Sequence, residues 1–161
     1  MIGPAAVRPL GEYLADDRNK LYARVAASKS LYAIGNAHPE TRDEGVRFLV
    51  SVLENYKKND EGFNGFVIYD LVRLKAVEHI DLIKRVFASD RVDEIIMGDF
   101  EDVQVELGLI EKRTKPRPRP SFLDGLPRED EIFSPERKTQ NDKKKEKNKN
   151  KQEKKSRKKN R

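Results

Sequence analysis

The chain of 161 residues is polar for a globular protein, with 39% charged and 36% hydrophobic residues and a net charge of +6. It has no cysteine, which excludes disulfides, thiol catalysis and any Cys-containing zinc site. Its apolar runs are only a few residues long, as in Phe66-Val67-Ile68, and no basic leader precedes one, so a cytoplasmic protein without a membrane span is expected.

From Pro4 to about Ile110 the apolar residues recur at helical spacing. Val7, Leu10 and Leu14 mark one face of a first helix, which Asp16-Asp17-Arg18-Asn19 interrupts. Leu21, Val25, Ala27, Leu31 and Ile34 form the stripe of a second, with Gly35-Asn36 loosening its end and His38-Pro39 breaking the chain. Pro39 suits the first turn of a third helix, lined by Val46, Leu49, Val52 and Leu53. A fourth, GFNGFVIYDLVRLK, presents Val67, Leu71 and Leu74, and a fifth carries Val77, Ile80, Ile83 and Phe87 before Ser89-Asp90 closes it. A short piece, RVDEIIM, then runs to Gly98, and DFEDVQVELGLI completes the helical part. Nothing between these helices reads as a sheet.

The helices repeat. Leu10 and Leu49 are 39 apart, and Leu31 with Ile34 returns as Leu71 with Leu74 at a shift of 40 and as Leu107 with Ile110 at a shift of 36. Three pairs follow, about 4 to 38, 39 to 75 and 76 to 110, a spacing that fits two-helix solenoid units rather than a closed bundle. The expected fold is therefore all-α, a short α-solenoid of about three helical hairpins over residues 1–112. Beyond it, Pro116, Pro118, Pro120, Pro127 and Pro135 predict an extended linker over 113–138, with SFLDGL and EIFSP as isolated apolar islands. Residues 139–161 read as a disordered basic tail: ten Lys and two Arg against Asp142, Glu146 and Glu153 give it +9, leaving −3 for residues 1–138.

Within DRNKLYARVAASKSLYAIG, an acidic turn residue (Asp17) is followed by Arg24, the small pair Ala26-Ala27, Leu31, Ile34 and Gly35. That order resembles the second helix of a HEAT repeat, and GPAAVRPLGEYLAD resembles the first helix of the same repeat. In style it is similar to the bacterial HEAT-like repeats named for phycobilisome lyases. The resemblance covers about two thirds of the chain and weakens after the first pair: residue 64 is Asn where the arginine would recur, and the third pair's second helix is broken near Gly98. It implies a superhelix whose concave face is built from second helices, with Arg24 joined to an acidic turn residue. Since MIGPAAVRPLGEYLADD reads as a repeat with no capping helix ahead of it, an N-terminally truncated member is expected.

Candidate functional residues are few. The concave-face candidates for binding a protein partner are Tyr22, Arg24, Lys29, Asn64, Tyr69 and Arg73. Tyr22, Tyr32, Tyr56, Phe63, Phe66 and Tyr69 concentrate the aromatic residues, as core and inter-repeat packing or as a groove for a peptide or, as the lyase resemblance implies, a tetrapyrrole. Asp99, Glu101, Asp102 and Glu106 form the densest acidic cluster, read as an N-cap with solvated charge and as a patch able to hold the chain's own basic tail. His38 and His79 are isolated, so neither a metal site nor a catalytic set is expected, and no cofactor. In the tail, Lys143, Lys144, Lys145, Lys154, Lys155, Arg157, Lys158 and Lys159 make a polycation able to hold nucleic acid without reading its sequence. The expectation is a non-enzymatic protein-interaction scaffold; the alternatives are tail-driven association with RNA or ribosomes and, by resemblance alone, a bilin lyase subunit.

Overall fold

A computed structural model describes residues 3–116 and 125–126. Every described helix lies in a compact unit spanning Met1–Pro118; of the second unit, Arg119–Arg161, only Gly125 and Leu126 are described. Most of the linker and all of the tail thus lie outside the described residues. Among the described residues the fold is all-α, without strands.

A motif recurs three times. The 3-10 turns Pro4–Ala6, Pro39–Thr41 and Val77–His79 lead directly into α1 (Val7–Ala15), α3 (Arg42–Leu53) and α5 (Ile80–Ala88). Pro4 and Pro39 suit these starts, because a fixed φ and a missing N–H cost nothing in a first turn. A second helix follows in each pair: α2 (Leu21–Ala37), α4 (Glu61–Arg73) and, in the third, the one-turn α6 (Glu94–Met97) and α7 (Phe100–Glu106). Helix α1 packs on α2 and α3, and α2 packs on α4, so first and second helices form two layers of a repeat-like stack.

The stripes read from the sequence are the ones that are buried. Val7 and Leu14 close the α1 face, Leu49 and Leu53 the α3 face, and Val67 and Leu71 the α4 face, all within 1% of full burial. Val77 departs from its expected stripe: it lies in the 3-10 turn, exposed, and Val86 takes its place beside Ile83 on α5. Gly35 does not loosen the end of α2, which runs on to Ala37. Gly35 instead lets two helices approach, since a Cβ there would sit 3.1 Å from Leu74 Cδ2 and 3.3 Å from the Arg42 Cα.

The third pair is broken at Gly98, whose φ of +84° ends α6. Asp99 caps α7 as expected, its carboxylate accepting from the Asp102 N–H while Asp102 accepts from the Asp99 N–H. Among the described residues no helix is long and apolar enough to cross a membrane.

Candidate interaction face

Helices α2 and α4 lie side by side in parallel register, fixed by side chains that meet across them. The Arg24 guanidinium lies 4.3 Å over the Phe63 ring, Lys29 Nζ 5.7 Å from the Phe66 ring, and Arg73 5.5 Å from Tyr32 and 5.9 Å from Tyr69. Arg73 also donates a 3.0 Å hydrogen bond to the Tyr32 hydroxyl, which raises its pKa. Spacings of three, four and seven residues place Tyr22, Lys29 and Tyr32 on one side of α2, and Phe66, Tyr69 and Arg73 on one side of α4. Tyr22 is 78% exposed, Lys29 and Arg73 are exposed, and Tyr32, Phe66 and Tyr69 are half-buried.

Four of the six residues expected to bind a partner therefore share an accessible face: Tyr22, Lys29, Tyr69 and Arg73. The other two, Arg24 and Asn64, are buried and structural. Arg24 Nε donates to the Leu14 carbonyl at the end of α1 at 2.8 Å, and burial lowers its pKa against the fields of Asp17 and Asp16. Arg24 therefore binds the Leu14 carbonyl directly and feels Asp17 through its field. Forty residues on, the Asn64 amide donates to the Tyr56 carbonyl at 3.0 Å and to the Arg91 carbonyl at 2.8 Å, and Asn59 donates to its oxygen at 3.0 Å. Arg24 and Asn64 thus both satisfy backbone carbonyls outside their own helices, that of Leu14 for Arg24 and those of Tyr56 and Arg91 for Asn64.

Sequence reasoning missed two arginines and one buried pair. Arg42 donates from Nε to the Leu74 carbonyl at 2.9 Å and from Nη2 to that of Lys75 at 3.1 Å, capping the end of α4, while Glu78 holds it at 3.0 Å. Arg91 reaches the Asn59 carbonyl at 2.6 Å and Glu61 at 2.7 Å. Beneath the exposed face, Ser28 Oγ donates to Asp70 Oδ2, and both residues are essentially fully buried. Asp70 Oδ1 has no hydrogen-bond partner among the described residues, and burial pushes the carboxyl up to about 6 against the bond from Ser28 and the charges of Lys29 and Arg73. A signal existed: Asp70 lies three residues from Val67 and four from Leu74, on the apolar stripe of α4.

The N-terminal ends of α2 and α4 meet α6 at a groove of about 610 Å3 lined by Tyr22, Phe66 and Ile96 together with Asp60, Glu61, Asp93 and Glu94. Every ionisable side chain in its wall other than Tyr22 is a carboxylate. Burial, then the charges of Asp99, Asp90 and Asp102, raise the Glu94 pKa.

The acidic cluster at α7 holds a cation from its own chain. Arg113 pairs with Asp99 and Asp102 at 2.7 Å each and with Glu101 at 3.6 Å, and the Thr114 and Lys115 amides donate to Glu101 at 3.0 and 3.2 Å. The Arg113 bond holds the Asp99 carboxyl down at about 2. Among the described residues no set of His, Cys, Asp or Glu is grouped to hold a metal ion; His38 faces Glu40 at 3.6 Å and His79 sits in a 3-10 turn. The tail candidates Lys143, Lys144, Lys145, Lys154, Lys155, Arg157, Lys158 and Lys159 lie outside the described residues.

Stacked two-helix units bearing an aromatic and charged face define a helical repeat-like all-α protein. Residues 2–117 match the family model described as protein of unknown function DUF1186, and the chain belongs to that family. No curated protein and no solved structure matches it.

Proposed function

We propose that this chain is a non-enzymatic, cytoplasmic protein-interaction module of HEAT type, and that its working surface is the α2/α4 face. The observation that carries this reading is the state of Lys29 and Arg73. Neither takes part in an ion pair among the described residues; each rests on aromatic rings instead, at 5.5 to 5.9 Å. Exposed cations held on half-buried rings, with exposed Tyr22 further along the same side of α2, are the amphipathic anchors that protein interfaces favour. The HEAT-like order of Asp17, Arg24, Leu31, Ile34 and Gly35 supports assigning this layer to the concave side.

The test is a crosslinking pull-down with the full chain and its K29E/R73E variant. Both positions are exposed, so the variant keeps its circular dichroism spectrum, and it is expected to lose the partners that the wild type recovers. Unchanged recovery of every partner would refute the reading. Arg24 is left intact because its burial would make charge reversal a folding defect.

A second reading rests on the +9 charge of residues 139–161. Twelve cations interspersed with Asn, Gln and Glu bind a polyanion such as RNA or the ribosome through counterion release, independently of the helical face.

A further inference from the structure

We infer that the α2/α4 face takes a short peptide of opposed charges, a Lys or Arg at one end and an Asp or Glu about five residues away. This deepens the interaction reading above and rests on it, adding the chemistry of the partner.

The face is electrically polar along its length. At the N-terminal ends of the two parallel helices, Tyr22 and Phe66 stand beside Asp60, Glu61, Asp93 and Glu94. Part of that charge is already engaged: Glu61 is paired with Arg91 at 2.7 Å, and Asp60 and Asp93 each use one oxygen to cap a helix. Glu94 lies on the groove wall and is exposed by area; partial desolvation, then the charges of Asp99, Asp90 and Asp102, raise its proton affinity. An arriving cation relieves that repulsion and finds the rings of Tyr22 and Phe66 to rest on.

Further along the same face the sign reverses. Lys29 and Arg73 sit among Phe66, Tyr32 and Tyr69, in no ion pair among the described residues; the carboxylates whose fields they share are the buried Asp70 and, for Arg73, Glu106. A carboxylate from a partner meets a preorganised guanidinium there. From Tyr22 to Tyr32 the axial rise along α2 is about 15 Å, ten residues at roughly 1.5 Å each. An extended segment spans that distance in about five residues. The half-buried aromatic rail between the two charged ends supplies the apolar contact.

The test immobilises the full chain, selects from a displayed library of random heptapeptides, and titrates the enriched sequences as labelled synthetic peptides by fluorescence anisotropy. Enriched peptides are expected to carry a cation and an anion four to six positions apart. E94K should weaken them at least tenfold, with binding regained when the peptide's cation is replaced by Glu. K29E/R73E should act in the mirror sense, rescued by a peptide whose anion is replaced by Lys.

Three results would overturn the inference, each differently. Peptides without paired charges that still lose binding on Y22A leave the interaction face standing and refute its charge rule. Enrichment of polycations indifferent to K29E/R73E assigns only the acidic end, to a segment like residues 139–161. Enriched peptides indifferent to Y22A, E94K and K29E/R73E refute both this inference and the proposed face.

Discussion

Asp70 is the residue on which the packing of α2 against α4 turns. Its carboxyl is buried with one oxygen bonded by Ser28 and the other without a hydrogen-bond partner among the described residues. Burial raises it from an ordinary 3.8 to about 6, so between those values the folded chain keeps a proton that the unfolded chain releases. This group's effect is therefore to lower stability as pH rises from about 4 to about 6, with the full penalty present above that range. D70N removes the charge and keeps a partner for Ser28. Urea unfolding should show the variant gaining on wild type by on the order of 2 kcal/mol between pH 4 and pH 7. A difference that stays constant with pH would mean that Asp70 is not held protonated by its surroundings. Buried Asn64 carries no such charge penalty, because it is neutral and its donors meet backbone carbonyls, whereas Arg24 donates to the Leu14 carbonyl and still has its pKa lowered by burial.

At the scale of the element, helix ends set the architecture. Asp60 and Asp99 cap α4 and α7, Pro4 and Pro39 start the first two helix pairs, and left-handed residues Lys75 and Asp90 stop α4 and α5. Arg113 adds a latch, tying residues 113–115 to the first turn of α7 through Asp99, Glu101 and Asp102. R113A should leave the helix content unchanged while the Thr114 and Lys115 amides exchange hydrogen about tenfold faster or more. Acid should imitate the mutation: Asp99, held at about 2 instead of 3.8, contributes stability that is present above about pH 4 and lost as pH falls through 2. Unaltered exchange at both amides would show that Glu101 holds them without Arg113. Much of this scale was legible in the sequence, since Pro39 and Asp99 announce helix starts and periodic Leu and Val name the buried faces. Gly35 was not, because a glycine near a helix end has the same signature whether it stops the helix or admits a neighbour. Nor was the Ser28–Asp70 bond, which depends on the register between two helices 42 residues apart. Of the candidate residues, Tyr22, Lys29, Tyr69 and Arg73 share a face while Arg24 and Asn64 are buried, a division the sequence hides because carbonyl capture and ligand capture call for the same polar side chains.

For the whole molecule, charge divides what the sequence joins. Residues 1–138 carry −3 and residues 139–161 carry +9, so the basic character of the chain belongs to a segment outside the matched family region, residues 2–117. The proposed face offers rings, a groove and fixed cations, whereas Lys143 to Lys159 offer charge at high density with no aromatic residue to stack on bases. The two proposed activities should therefore separate cleanly. Deleting residues 139–161 should leave the thermal midpoint of the helical unit and its peptide binding intact. The same deletion should abolish binding to single-stranded RNA. In the full chain that RNA binding should fall by about 10³ between 50 and 200 mM salt, as expected when six or more phosphates are neutralised. Titrating labelled RNA against both forms across a salt series checks this. RNA binding that survives the deletion, or that barely responds to salt, would relocate nucleic-acid recognition to the helical unit. That would be a demanding relocation, because the groove walls at the open end of the α2/α4 face are acidic and repel phosphate.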